Sequence, residues 1–341
     1  ILDKGLYNKP GEEVSAATPA KLPSLPADAP RNRLGLAQWL VAKENPLTPR
    51  VTVNRFWQMF FGVGLVKTSE DFGIQGEFPK HPELLDWLAS EFRDSGWDVK
   101  RLVRLIVTSA TYRQSSRVTP EMAERDPDNR LLTRGARFRM PSWMIRDQAL
   151  AASGLLTDRV GGAPVNSYQP AGVWEEATFG NKKYQQDHGD ALYRRSLYTF
   201  WRRIVGPTIF FDTQARSVCT VTPTRTNTPL HALTTLNDVT YVEAARVLAE
   251  RIIRDTPEPA ARLNLAFRRV LSRNPRAEEQ QVLLAGFHRV STKFAAHPEQ
   301  ARKLLSRGEA KRDETLDPIE HAAWSAVCLA ILNLDESLSK E

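Results

Sequence analysis

At 341 residues the chain is long enough to bury a substantial core, and its length suggests about two domains. Its 41% hydrophobic and 26% charged residues are those of a globular protein, and no apolar run approaches the length needed to cross a bilayer. The formal charge of +7, from 47 basic and 40 acidic residues, is small and interspersed, which argues against nucleic acid as a partner.

The chain starts at Ile1 without a methionine or a signal-like segment, and so reads as a portion of a longer polypeptide. Residues 1–30 are rich in Pro and Ala, lack a helical or strand period, and predict an extended linker or surface strap. Organised structure is expected from Arg31, and residues 31–156 read as an N-terminal helical domain. Leu34, Leu36, Ala37, Leu40 and Val41 share one helical face that stops at Asn45–Pro46. A second helix from Pro49 repeats Val53, Phe56, Trp57 and Phe60 at core spacing, with Asn54 and Arg55 beside that stripe as polar candidates.

The connection GVGLVKTSEDFGIQGEFPKHP then brings four glycines, two adjacent carboxylates and a histidine. Glu70, Asp71 and His81 could supply a general acid and base, or the segment could be turn chemistry ahead of a helix opened by Pro82. Its glycine spacing fits neither a P-loop nor a dinucleotide fingerprint. Leu84, Leu85, Leu88, Ala89 and Phe92 predict the next helix. Asp98 caps another, carrying Val99, Leu102, Val103, Ile106 and Ala110, and the short link makes the two an antiparallel hairpin. Tyr112 and Arg113 fall at the end of that helix, where a cation suits the dipole. Pro141 opens SWMIRDQALAASGLL after a polar connection.

Residues 157–227 read as a loop-rich segment with short strands. Tyr168, Trp174, Tyr184 and His188 lie in its aperiodic part, either as a sugar-binding surface beside Glu175 and Glu176 or as pins that hold the loop down. Ser196–Ile204 alternates like a strand, and TIFFD is a candidate partner for it. ARSVCTVTPTRTNTPLHALTTLND is the stretch least explained by core building. There Arg216, Arg225, Asn227, His231 and Asp238 gather polar groups around a helix start, with Thr228 as its expected cap and Pro229 at its first position. These groups either form a polar site or satisfy one another.

Residues 228–341 read as a C-terminal helical bundle. Leu230, Leu233 and Leu236 form its first stripe, Asp238 caps the next helix, Pro257, Pro275 and Pro318 mark later starts, and Asp317 with Glu320 makes a capping box. The fold class expected is mainly α, a multi-helix bundle with a small β element and long polar loops. Cys219 and Cys328 lie in no CxxC or CxxCH arrangement, which excludes a haem-attachment motif and a cysteine zinc site within the chain. One disulfide and two separate thiols both fit them. No metal-ligand spacing is present, so no metal or resident cofactor is expected in this segment.

NRLGLAQWL, VNRFWQMFFGVGLVKTSEDFG, HPELLDWLASEF, GWDVKRLVRLIVTSATYRQSS, RTNTPLHALTTLND and LNLDES together resemble the Planctomycetes-specific C-terminal domain family of unknown function, found in large planctomycete cytochrome c-type proteins. The resemblance spans residues 5–341, with His231 where a glutamine is expected. It implies an exported protein, periplasmic or at the cell surface, whose upstream domains can carry covalent haem c outside this chain. It supplies no catalytic residues. Two functions follow as expectations. One is a non-catalytic module that binds a partner, either another exported protein or a polysaccharide. The other is a secreted enzyme on complex, sulfated polysaccharide, with Glu70 or Asp71 and His81 as acid and base and Arg216 and Arg225 gripping an anion.

Overall fold

The computed structural model describes residues 1–202, 205–214, 218–222 and 224–340, and divides into two compact units, Ile1–Ala136 and Arg137–Glu341. The expected fold class holds: helices dominate both units, and the sheet found among the described residues has two short strands.

In the first unit, α1 (Arg33–Leu40) starts where the Asn32 side chain accepts the amides of Leu34 and Gly35. The strap before it is fixed by the Trp39 indole, which donates to the Pro23 carbonyl at 2.7 Å. Gly35 is required there, because a Cβ would lie 1.9 Å from the Pro30 oxygen. Helix α2 (Leu47–Phe61) turns Val53, Trp57 and Phe61 into the core. It packs on α3 (Pro82–Asp94), which is followed by α4 (Val99–Thr108) behind the Asp98 cap. Leu85, Leu88, Phe92, Leu102 and Ile106 close this three-helix core, as their spacing predicts. The short α5 (Pro120–Arg125) is capped by Thr119.

The second unit opens with β1 (Phe138–Arg139) and α6 (Ser142–Ser153), and α7 (Val173–Ala177) lies within the long loop. Then come α8 (Pro229–Asn237), α9 (Val239–Asp255), α10 (Pro259–Leu271) and α11 (Ala277–Ala296). The chain closes with α12 (Pro298–Leu305), α13 (Pro318–Leu332), α14 (Asp335–Leu338) and β2 (Ser339–Lys340). The strands pair antiparallel, Phe138 opposite Lys340. Helices α9 and α13 form the centre. Ala244, Ala245 and Ala249 on one, with Ala322 and Ala323 on the other, are fully buried and let the two backbones approach closely around Trp324 and Ile331. Arg273 joins the ends of the bundle, holding Glu279 of α11 and Glu336 of α14 at 2.8 and 2.6 Å.

Several local expectations change. Residues 196–202 do not form a strand: Ser196–Tyr198 is a 3₁₀ turn, and pairing is limited to single bridges such as Val165 with Thr199. The Tyr198 and Thr199 amides turn back to the Arg195 and Ser196 carbonyls, and polar side chains of α6 hold the start of the segment. Arg146 donates to the Leu192 and Arg194 carbonyls, and Asp147 accepts the Ser196 amide. Residues 208–212 form turns instead of pairing, and Arg203 and Ile204 lie outside the described residues. Thr228 occupies the N-cap position of α8 without a side-chain bond there. The α8 leucines are not core, as described below. Both cysteines are free thiols; Cys219 is exposed, and burial pushes the Cys328 thiol up.

Candidate functional site

The glycine-rich connection of the first unit is a framework of committed polar groups. Asn54 is fully buried on α2. Its Oδ1 accepts the Val66 amide at 2.8 Å, and its Nδ2 donates to the Val66 carbonyl at 3.0 Å and the Ser69 hydroxyl at 3.1 Å. Gly64 leaves room for that amide, since a Cβ would lie 2.5 Å from Asn54 Nδ2. Asp71 is part of a turn and accepts the Gly73 amide at 2.6 Å. The His81 ring bonds through Nε2 to the Arg130 carbonyl at 3.2 Å. The Arg130 guanidinium reaches back to the carbonyls of Gly64 and Leu65 and to Glu77. Glu70 and Arg55 are exposed. Tyr112 packs edge-on against Phe60 and Phe61, and burial raises its phenol. Arg113 is exposed in the turn after α4, its amide bonded to the Ser109 carbonyl. The three residues expected to do acid–base work thus sit on one connection, two of them tied to neighbouring backbone.

In the second unit, Arg225 and His231 are brought together around Phe211 and Asp212. The His231 ring stacks on Phe211 with centroids 4.1 Å apart, and its Nε2 lies 3.8 Å from Asp212 Oδ1. Asp212 adopts φ 56° and accepts both the amide and the hydroxyl of Thr226, at 2.6 and 2.7 Å. Ser142 donates to the Phe211 carbonyl at 2.8 Å, and the Arg139 guanidinium lies over the Phe211 ring at 5.8 Å and lines the same recess. The Arg225 guanidinium covers the Phe138 ring at 4.3 Å, and burial lowers its pKa. The cavity among these residues is about 10 Å³, room for one water. Asn227 is exposed. Asp238 faces another way: it caps α9 through the Thr240 amide, and burial raises its carboxyl despite the nearby Arg146. Arg216 lies outside the described residues.

Periodicity reading misses a further buried polar group. Glu243 on α9, 1% exposed, accepts the Tyr193 hydroxyl at 2.9 Å and the Ala310 amide at 2.7 Å. Gly308 is pressed against it; a Cβ there would meet the carboxyl at 2.1 Å. Arg246 donates to the Ala310 carbonyl, and the buried His321 bonds to the Arg246 carbonyl at 3.0 Å. Burial, then the Glu243 charge, pushes up the Tyr193 phenol. These groups clamp residues 308–310 and the 3₁₀ turn at Tyr193 onto α9. The aromatics of the long loop act similarly: Tyr184 donates to the Ser167 carbonyl, Trp174 packs on Tyr184, and His188 bonds to Glu309. Sequence gives little warning of the clamp, because Glu243 and Arg246 interleave with an ordinary apolar stripe.

The most unusual element is α8, whose amphipathicity is inverted. His231 and Thr235 face inward, 8% and 1% exposed. Thr235 donates to the Asn333 amide oxygen at 2.5 Å, and Asn333 returns a bond to the Thr235 carbonyl. Leu230, Leu233 and Leu236 face solvent at 71%, 59% and 42% exposure. Among the described residues no group of three or more His, Cys, Asp or Glu could hold a metal ion, and no helix is long and apolar enough to cross a membrane.

No curated protein and no solved structure matches the chain. The model of the PSD1 family, described as a protein of unknown function (DUF1553), matches residues 32–287, which include the Asn54 framework, the Phe211–Asp212 recess and the inverted helix. The chain belongs to that family.

Proposed function

We propose that this domain is a non-catalytic interaction module of a larger exported polypeptide. The observation that carries the reading is the inverted face of α8. Three leucines at helical spacing stand in solvent while the polar side of the same helix is built into the core, and a contiguous exposed apolar surface marks an interaction site. The engagement of Asp71 and His81 with backbone supports the same reading, since it leaves them poorly placed to trade protons with a substrate. The sequence resemblance supports an exported, periplasmic or cell-surface setting beside upstream domains that can carry haem.

A second reading, an anionic polysaccharide as ligand, is favoured by the two guanidinium groups of Arg139 and Arg225 beside one recess. Both readings are tested with the whole chain. Replacing Leu230 and Leu233 by Gln is expected to keep the fold and lower the binding of an apolar dye. Unchanged dye binding, or a collapse in stability, would show these leucines to be core. Incubation with neutral and sulfated polysaccharides is expected to yield no new reducing ends, and their release would overturn the non-catalytic reading. Retention on the sulfated set that is lost in Arg225→Ala would support the second reading.

A further inference from the structure

At its C-terminal end the α8 stripe runs into a groove. Leu236 belongs to both, and the groove continues over Val239 and Val242 at the start of α9, Phe294 at the end of α11 and Leu304 of α12. It holds about 490 Å³, within the range of true binding clefts. Its lining mixes these apolar side chains with the polar Asn237 and Gln300, and its α12 side carries Lys303 and Arg307, both exposed and neither in an ion pair among the described residues. From Leu230 to Leu236 the helix rises roughly 9 Å, so stripe and groove together present an elongated apolar track with cations along one edge.

We infer that this track is a docking surface for an acidic amphipathic helix of a partner, with apolar anchors at i, i+3 or i+4, and i+7 and carboxylates facing Lys303 and Arg307. The inference rests on the interaction reading above and names the partner's chemistry. Ridges of leucines spaced by three pack into the grooves of another helix, and an apolar groove is the common receptor for such a helix. Charge decides among occupants. A second copy seated through the same face would gather the Lys303 and Arg307 of both copies in one isologous interface with no carboxylate among the described lining residues to meet them. A lipid surface presents no ridge to fill a concave cleft, whereas a helix does.

The test titrates the whole 341-residue chain with a synthetic leucine–glutamate amphipathic helix. In parallel run the same peptide with lysine for glutamate, vesicles of anionic phospholipid, and a sedimentation series of the protein alone. Saturable binding of the acidic peptide is expected, weakened at least tenfold by Leu236→Ser. In the double variant Lys303→Glu, Arg307→Glu, preference is expected to pass to the lysine peptide. Equal binding of both peptides, or binding of neither, overturns the inference. If vesicles or self-association respond to Leu236→Ser while the peptides do not, α8 is an interaction face with a different occupant, and the interaction reading survives. If nothing responds to the leucine change, that reading fails too.

Discussion

The inverted helix makes a prediction opposite to the usual rule for apolar and polar replacements. Leu230→Gln removes an apolar side chain, yet Leu230 is already 71% exposed. Full burial of a leucine is worth about 1.5–3 kcal/mol, so the covered share amounts to less than about 1 kcal/mol, and Gln matches Leu closely in helix propensity. Thr235→Val exchanges a hydroxyl for a methyl at a site 1% exposed and keeps the β-branched shape. It leaves the Asn333 side-chain oxygen without the 2.5 Å bond it receives from Thr235. Asn333 is half-buried, so losing this bond costs about 1 kcal/mol, the lower end of the range for an unsatisfied acceptor. Urea unfolding of the two variants, followed by tryptophan fluorescence, compares them directly. The leucine change should move the midpoint less than the threonine change. A Leu230→Gln loss exceeding that of Thr235→Val would refute the inward and outward assignment of α8.

Three further outcomes follow from the buried polar groups. Asn54→Ala should destabilise the first unit by roughly 2–5 kcal/mol, because the Val66 amide and carbonyl both lose their partner, and limited proteolysis should then cut within residues 62–81. Arg146→Met should cost about 3–5 kcal/mol in denaturant unfolding, since the fully buried guanidinium holds the Leu192 and Arg194 carbonyls; a loss below about 1 kcal/mol would show that water replaces it. Burial lowers the His321 imidazole below its ordinary value of 6.5, so the unfolded chain takes up the proton first. Stability should therefore fall as pH drops from about 6.5 toward the folded value, and His321→Gln, which keeps a donor for the Arg246 carbonyl, should flatten that fall between pH 7 and 5.5. Glu279, pulled to about 2 mainly by Arg273, contributes stability that is lost only below its ordinary 4.5, outside that window.

Much of the helical scaffold was legible in the sequence. The stripes of α2, α3, α4 and α13 bury Val53, Trp57, Leu85, Leu88, Phe92, Leu102, Ile106, Trp324, Val327 and Ile331 as their spacing selects, although Val99 and the expected α1 face of Leu34, Leu36, Leu40 and Val41 stand exposed, and Asp98, Asp238 and Asp317 act at helix starts. Side-chain competition for backbone was not legible. The alternation at 196–202 satisfies a strand pattern, but Asp147, some fifty residues earlier, takes the Ser196 amide, and the Tyr198 and Thr199 amides turn back to the Arg195 and Ser196 carbonyls. The α8 stripe misled in the other direction. Period alone marks Leu230, Leu233 and Leu236 as one face, and only the bonds of Thr235 and Asn333 decide which face turns inward. Of the candidate binding residues, Arg225 and His231 meet around Phe211 and Asp212, whereas Asp238 serves a cap. Asp212 is not marked by the sequence, because its partner, Thr226, lies across a loop of no periodicity.

Cysteine scanning of α8 tests the central claim most directly. In a Cys219→Ser background, which removes the exposed native thiol and leaves Cys328 buried, Leu233→Cys and Thr235→Cys are each treated with a maleimide under native conditions. Rapid labelling at position 233 with protection at 235 is the predicted result. Protection at 233 with labelling at 235 would place the leucines in the core and leave the domain without its docking face.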